Sequence, residues 1–313
     1  MKNIFGLGKR IVLFIAVNLL VMITLSLVAS VILHFFPHLF GRRSANPLLV
    51  LGIFSLIFGM GGAFISLALS RMMAKWMMGV QVIDPNTDHP ELRRLVEMVH
   101  GFAQRAGLPA MPEVGIYDAP EVNAFATGPS KSRSLVAVSS GLLREMNRSE
   151  AEGVVAHEIA HIANGDMVTM TLVQGVINAF VIFLSRIFGF IAAQALGSRN
   201  SDDDRPGLGD WLIQTVCVMV FEILFTLLGT IVVAWFSRQR EFRADAGGML
   251  LAGKDQMVGA LRALQRLHDP AHMAADTGFQ ALKISGKAGG FLALFSTHPP
   301  LEERIAYLES LGR

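Results

Sequence analysis

The sequence predicts an α-helical membrane protein of about four transmembrane helices, combined with one α+β domain outside the membrane. Composition is the first observation: 52% of the 313 residues are hydrophobic and only 17% are charged, which is too apolar for an ordinary soluble protein. The second is a set of four apolar stretches, each longer than the roughly 20 helical residues that cross a hydrocarbon core. The third is that the more polar remainder, residues 71–166 and 237–313, suffices for one soluble domain.

The four predicted spans are Ile11–Phe36, Pro47–Ser70, Met167–Leu196 and Trp211–Phe236. All three tryptophans fall at or just past the ends of these spans, where an amphipathic ring prefers the headgroup layer. The first span follows basic residues as a signal peptide does, but its apolar core is too long and lacks a clear cleavage site. We therefore interpret it as a retained anchor.

The predicted organisation alternates membrane and domain segments. Two N-terminal transmembrane helices occupy residues 1–70, the domain begins in 71–166, a transmembrane hairpin occupies 167–236, and the domain is completed by 237–313. Basic residues near the spans are more numerous on the side that holds both termini, which predicts that the termini and the domain are cytoplasmic. Because the hairpin returns to its starting face, the two parts of the domain lie on the same side.

Two charged residues lie inside the hairpin spans. Arg186 and Glu222 are costly in hydrocarbon unless they pair or reach water. They are about equally far from the middle of the connecting loop, so an intramembrane ion pair is one hypothesis. The alternative is that Arg186 snorkels to the interface while Glu222 faces a polar crevice.

Charge and cysteine content exclude two kinds of site. The net charge is only +2 and the basic residues are scattered, so no nucleic-acid-binding surface is indicated. Cys217 is the only cysteine, which excludes an intrachain disulfide and a cysteine-based metal site. Any bound metal must therefore use histidine and carboxylate ligands.

The sequence of the first part of the domain, residues 71–166, predicts both helix and strands. A helical apolar pattern begins after His89 and closes near Gly107. Residues 269–290, rich in alanine, glycine and polar side chains, are typical of a loop or a short helix. Short strands are predicted at Val114–Tyr117, Asn123–Ala126 and Leu135–Val138.

One helix of the domain is predicted with both of its ends. Ser149 and Glu152 have the spacing of a capping box, which indicates a helix start. The helix continues to about Ala163, where Asn164 and Gly165 provide a stop.

This helix carries two histidines one turn apart. His157 and His161 lie on one helical face, so their nitrogens can converge on a single ion at the roughly 2.0–2.1 Å that zinc requires. Glu158 is rotated about a quarter turn away and can reach a water molecule at the metal without ligating it. The pattern predicts a zinc site with Glu158 as general base. The alternative, two helical histidines without metal, is disfavoured because the pattern falls on a capped helix.

A second histidine pair with the same spacing, His268 and His272, is not expected to bind metal. Pro270 lies between them and would disrupt the helix that the shared geometry requires. We interpret both histidines as loop residues.

The third ligand is predicted just past the last span, because a catalytic zinc site needs three protein ligands and one open position. Glu241 and Asp245 lie one helical turn apart there, on the same side of the membrane as His157. We predict Glu241 as the ligand and Asp245 as the acceptor that fixes a ligand imidazole in its metal-binding tautomer. Taken alone, residues 238–245 would be interpreted as a solvated charged helix.

Three motifs extend this pattern along the chain: His-Glu-Ile-Ala-His-Ile-Ala-Asn-Gly-Asp at 157–166, Arg-Glu-Phe-Arg-Ala-Asp at 240–245, and Ser-Thr-His-Pro-Pro-Leu at 296–301. With them the chain resembles, over nearly its whole length, the HtpX family of bacterial membrane zinc metalloproteases, which is related to the CAAX prenyl proteases. The resemblance implies a zincin-like (gluzincin) metalloprotease domain that faces the cytoplasm from the bacterial inner membrane. It also implies one Zn²⁺ per chain, with Glu241 completing the ligand set, and misfolded or superfluous membrane proteins as substrates, in quality control and the stress response.

The same resemblance implies roles for residues that the patterns alone would not select. Asn123, Ala124 and Phe125 resemble the family's edge strand beside the zinc helix, which can pair with an extended substrate by strand addition. Without the family they would be an ordinary edge strand. His298 is implied to donate to the developing oxyanion, whereas a lone histidine before two prolines is usually a loop residue.

The predicted reaction is peptide hydrolysis, in which Glu158 takes a proton from water and delivers it to the leaving amine. The main alternative is a membrane scaffold or chaperone that holds zinc for structure; Glu158 disfavours it, because a structural site closes its fourth position. A small transporter would need polar residues repeated at matched depths, and none repeat here. The predicted partners are the lipid bilayer and membrane-protein substrates, and the sequence specifies no oligomeric state.

Overall fold

A computed structural model gives the structure of the chain and describes residues 47–196, 208–267 and 294–311, together with Ile23 and Leu27. By internal contacts the described residues divide into unit 1, within 1–66 and 171–233, and unit 2, within 67–170 and 234–313. In chain order the elements are α1 (Pro47–Met77), β1 (Gln81–Val82), α2 (Pro90–Arg105), β2 (Glu113–Tyr117), β3 (Ala124–Ser130), β4 (Arg133–Ser139), α3 (Ser140–Glu145), α4 (Arg148–Asn164), α5 (Asp166–Leu196), α6 (Leu208–Ala252), α7 (Lys254–Leu267) and α8 (Leu301–Ser310).

Unit 1 consists of long apolar helical segments. Among the described residues, three helices are long and apolar enough to cross a membrane: α1, α5 and α6. The predicted spans Pro47–Ser70, Met167–Leu196 and Trp211–Phe236 lie inside these helices. The first predicted span, Ile11–Phe36, lies outside the described residues except for Ile23 and Leu27.

Glycines allow the helices of unit 1 to approach closely. A Cβ on Gly59 of α1 would lie 2.4 Å from the backbone nitrogen of Ala179 on α5. A Cβ on Gly189 of α5 would lie 2.7 Å from the Cα of Val218 on α6. Neither position admits a side chain, and such small residues are what helix pairs in a membrane use for close packing.

The charged residues of the hairpin do not pair with each other in the structure. Arg186 donates from Nη1 to the carbonyl of Ile182 at 3.1 Å, and its guanidinium carbon lies 5.3 Å from the ring centroid of Phe54. Glu222 is exposed on the surface of unit 1. Within the described part of the chain, the ion pair that the sequence left open is therefore not formed.

Unit 2 is organised around a four-stranded sheet of order β1-β2-β4-β3. Strands β2 and β4 are parallel, while β1 and β3 pair antiparallel with β2 and β4 respectively. The three predicted strands lie at β2, β3 and β4, and Asn123 immediately precedes β3. Strand β1 was not predicted, because two residues carry no alternating pattern.

The core of unit 2 lies between one face of the sheet and helices α2 and α4. Val136 and Val138 of β4 pack with Val155 and Ile159 of α4 and with Val99 of α2, all fully buried. The face of α2 predicted to be apolar is the buried one. One side of α4 therefore packs against the sheet and α2. Helix α7 packs against another side of α4, where Gly153 lies close to Gln256.

The start of α4 corrects the sequence prediction. Asn147, and not Ser149, is the N-cap: its Oδ1 accepts from the backbone N–H of Glu150, and the Glu150 carboxylate accepts from that of Asn147, both at 3.0 Å. The reciprocal bonds satisfy two free backbone donors at the helix start, which Ser149, as the second residue of the helix, cannot do. Glu152 instead accepts from Arg148 at 3.0 Å. The predicted stop is confirmed, because Gly165 adopts a left-handed conformation with φ of 73°.

Candidate metal centre

The two histidines of α4 converge as their spacing predicts. The Nε2 atoms of His157 and His161 lie 3.0 Å apart, and both residues are buried. Burial follows from the position of α4, which is covered by the sheet, α2 and α7.

Glu241 of α6 is the third member of this group. Its Oε2 lies 3.5 Å from Nε2 of His157, and its Oε1 lies 3.4 Å from Nε2 of His161. Atoms that share a tetrahedral zinc ion at roughly 2.0–2.1 Å are about 3.3 Å apart, so the observed spacing fits one such ion. Glu241 is only 1% exposed, and its Oε1 accepts no hydrogen bond among the described residues. A buried carboxylate oxygen without a donor is what a metal cation would satisfy.

Each imidazole is oriented by a second carboxylate. Nδ1 of His157 lies 3.0 Å from Oδ1 of Asp245, as predicted, and Nδ1 of His161 lies 2.6 Å from Oδ2 of Asp166. In the neutral ring, a proton held on Nδ1 by the carboxylate would leave Nε2 with a free lone pair, the atom that a metal binds. Asp166 was not selected from the sequence, although it closes the first of the three motifs.

A buried arginine completes the charge arrangement. Arg304 of α8 donates from Nε to Oδ2 of Asp245 at 2.8 Å and from Nη2 to Oδ1 at 2.6 Å. Its Nη1 also lies 3.5 Å from Oε2 of Glu241. Arg304 was missed because α8 carries many charges and is expected to be solvated. Its guanidinium partly compensates the two buried carboxylates.

The pKa shifts follow from these contacts. Burial disfavours the charged form of each group, but the contacts with oppositely charged neighbours outweigh it. They raise the pKa of His157, through Asp245 and Glu241, and raise the pKa of His161, through Asp166 and Glu241, to about 9. The imidazoles hold the pKa of Glu241 far below its ordinary value, and Arg304 with His157 lowers the pKa of Asp245. A metal ion bound at these nitrogens would therefore displace protons from the imidazoles.

Glu158 and two of the candidate ligands, His157 and Glu241, line one cleft of about 1100 Å³. Glu158 is half-buried and lies beside His157 in its wall. Glu158 is not one of the three candidate ligands. Its carboxylate therefore remains available to act on a molecule bound in the cleft.

His298 reaches the centre from the segment before α8. Its Nδ1 lies 3.0 Å from Oε2 of Glu241, although 63% of its side chain is exposed. The structure therefore brings His298 to the candidate ligand set, as the resemblance implied.

The three residues of the predicted substrate strand lie in different environments. Asn123 and Ala124 line the cleft. Phe125 points away from it and packs on Tyr117, with ring centroids 5.6 Å apart. Strand β3 is at the edge of the described sheet, with β4 as its one neighbour.

The sequence profile described as peptidase family M48 matches residues 89–311, which include every residue of the candidate centre. The chain belongs to peptidase family M48. Its M48 relatives include the protease HtpX homolog of Bacillus pumilus (strain SAFR-032), 50% identical over 311 residues, with 97% of this chain and 100% of the relative covered. Protease HtpX of Tolumonas auensis (strain DSM 9187 / NBRC 110442 / TA 4) is 48% identical over 303 residues, covering 97% and 99%.

A solved structure shows the same fold for this M48 chain. The crystal structure of S. mikatae Ste24p superposes with a TM-score of 0.56 at 18% sequence identity. The match covers 93% of this chain and 65% of the length of that one. The membership in M48, the apolar helices and the metal-binding group together identify a membrane metalloprotease of the HtpX type, as the resemblance implied.

Proposed function

We propose that this chain is a zinc metalloendopeptidase of the bacterial cytoplasmic membrane, with its active site facing the cytoplasm. Its proposed substrates are misfolded or superfluous membrane proteins, removed in quality control and under stress. The observation that carries the proposal is the convergence of His157, His161 and Glu241 within 3.5 Å of one another, with Glu158 beside them in an open cleft. A purely structural zinc site would have a closed fourth position.

Zinc is the proposed metal because of the donor set. Two imidazoles and one carboxylate at tetrahedral spacing are a ligand set of catalytic zinc sites. We propose one ion per chain. When bound, zinc would polarise the substrate carbonyl and lower the pKa of water toward about 7.

The proton transfers are assigned to Glu158. Its half-buried carboxylate would accept the proton of the attacking water and deliver it to the leaving amine. Asp245 and Asp166 would hold the two imidazoles in their metal-binding tautomers throughout.

His298 is proposed to stabilise the developing oxyanion. Its Nδ1 lies 3.0 Å from Oε2 of Glu241, so the proposed role is assigned to Nε2, on the other edge of the ring, as the donor to the substrate oxygen.

The cleft suits an extended apolar substrate. Asn123 and Ala124, at the start of the edge strand β3, are placed to pair with a substrate backbone by strand addition. Apolar side chains that would accept unfolded membrane segments line the cleft at Val122, Leu142, Val154, Leu261 and Leu264.

The test compares three variants of purified full-length protein on a membrane-protein substrate, with bound zinc quantified in each. Glu158→Gln should retain about one zinc per chain and lose activity by about 10²-fold or more, since general acid–base catalysis contributes that much. Glu241→Ala should lose both zinc and activity. Glu152→Gln, one and a half turns earlier on α4 in an ion pair with Arg148, is the matched control and should keep both. Unchanged proteolysis by zinc-loaded Glu158→Gln would refute the proposed base.

A further inference from the structure

The segment that carries His298 is attached to helix α6 by Arg238. Nη1 of Arg238 donates to the carbonyl of Ser296 at 2.6 Å and to that of Leu294 at 3.3 Å. The hydroxyl of Ser296 in turn donates to the carbonyl of His298 at 2.7 Å. One arginine therefore fixes the backbone immediately before the histidine.

The other end of the segment is attached to the same helix. Arg304, at the start of α8, binds Asp245 of α6 through two hydrogen bonds. Arg238, Glu241 and Asp245 are spaced by three and then four residues, which places them on one face of α6. That face carries an anchor for each end of the segment, with the candidate ligand between them.

His298 needs such anchors because its own side chain is weakly held. The imidazole is 63% exposed, and its ring is held by the hydrogen bond between Nδ1 and Glu241. Pro299 and Pro300 restrict the backbone after it, but they do not fix the backbone before it. Two carbonyls of that backbone are bound by Arg238.

We propose that Arg238 is a positioning residue for catalysis: by binding the carbonyls of Leu294 and Ser296, it holds the His298 imidazole against Glu241 and toward the substrate oxygen. The inference rests on the proposed function, since it assigns Arg238 an effect only through the role of His298. Arg238 lines the cleft, but the role proposed for it requires no contact with a reacting atom.

The experiment is a double-mutant cycle on full-length, zinc-loaded protein with a peptide substrate. His298→Ala should lower kcat by about 10²-fold, the loss typical for one oxyanion donor. Arg238→Gln should lower kcat by about tenfold or more, with a smaller change in KM and unchanged zinc content, because the histidine is displaced and the ligands are not. In the His298→Ala background, Arg238→Gln should have no further effect on kcat, since the residue it positions is absent.

The matched control is Arg243→Gln, an exposed arginine on the same helix, which should leave kcat and the cycle unchanged. Equal losses from Arg238→Gln in both backgrounds would overturn the proposal, because Arg238 would then act independently of His298. Should Arg238→Gln not fold, the cycle is run with Arg238→Met, which keeps the apolar stem but removes the donors to the carbonyls: a loss confined to the background with His298 supports the proposal, and no loss or an equal loss in both overturns it. An inactive zinc-loaded wild type would instead contradict the proposed function.

Discussion

The two imidazoles of the metal centre are oriented by different parts of the fold. His157 on α4 contacts Asp245 on α6, and Asp245 in turn receives two hydrogen bonds from Arg304 on α8. His161 contacts Asp166, only five residues further along the chain. Asp166 is the first residue of α5, where free backbone N–H groups and the helix dipole stabilise a carboxylate.

The centre therefore has a long-range half, made of His157, Asp245 and Arg304, and a local half, made of His161 and Asp166. The His157 half forms only when three distant segments pack together, since Asp245 and Arg304 are 59 positions apart. The His161 half needs only the turn at Gly165 between two helices. Variants on the long-range half should therefore affect folding and metal binding together, while variants on the local half should affect mainly metal binding.

The largest expected effect is that of Arg304→Gln. The variant leaves the buried carboxylate of Asp245 without its cation, and breaking a buried ion pair in this way costs about 3–5 kcal/mol in the free energy of unfolding. Thermal unfolding of the purified protein in detergent should show a clear fall in Tm. The double variant Asp245→Asn with Arg304→Met, which removes both charges, should recover part of the loss. A Tm equal to that of the wild type would show that the long-range half does not stabilise the fold.

How much of this centre can be predicted depends on whether a contact follows from helical spacing. His157, His161, Glu241 and Asp245 are each one turn from a partner on the same helix, so the periodicity of α4 and α6 brings each pair onto one face. Asp166 lies beyond the left-handed Gly165, where helical spacing no longer applies. A motif-based signal existed, because Asp166 closes the longest motif of the chain.

Arg304 and the capping box show two further limits. A charged residue on a short polar helix is expected to be solvated, and only tertiary structure, with α8 packed against α7 and Asp245 of α6 as the partner, makes Arg304 buried. Asn147 and Ser149 are both good N-cap residues with a glutamate three positions later, so local sequence cannot decide between them. Strands β2, β3 and β4 and helices α2 and α4 of unit 2 were predicted, but β1, α3, α7 and α8 were not, and the order of the sheet depends on pairings that local sequence does not encode.

A smaller effect should distinguish the two orienting carboxylates. Asp245→Asn and Asp166→Asn should each weaken zinc binding by about 10–100-fold, because each removes the charged acceptor of a ligand imidazole. We expect Asp245→Asn to show the larger loss and also a lower Tm, since Arg304 loses its carboxylate, while Asp166→Asn should leave Tm nearly unchanged. Competition with a chromophoric chelator at fixed pH measures both affinities. Asp255→Asn, an exposed position on α7, is the control; equal losses of affinity and Tm in the two test variants would remove the distinction between the halves.

The smallest effect on stability is expected at Glu113, a carboxylate outside the metal centre that forms ion pairs with two basic side chains. Glu113 of β2 lies 2.5 Å from Arg71 and 2.8 Å from Lys75, but all three side chains are 25–33% exposed. Burial opposes the charge of Glu113, yet the two cations lower its pKa below the ordinary 4.5. The pairs therefore add stability above about pH 4.5, and this contribution is lost as the pH falls through the lowered pKa.

Glu113→Gln should accordingly reduce the free energy of unfolding by less than about 1 kcal/mol near pH 7, as is typical of partly exposed ion pairs. The difference in Tm from the wild type should shrink when the pH is lowered below 4.5. Glu97→Gln, an exposed carboxylate on α2, should show neither effect. If Glu113→Gln proved as destabilising as Arg304→Gln, burial would not be what sets the strength of the long-range half, because the two clusters carry similar charges and differ chiefly in their exposure to water.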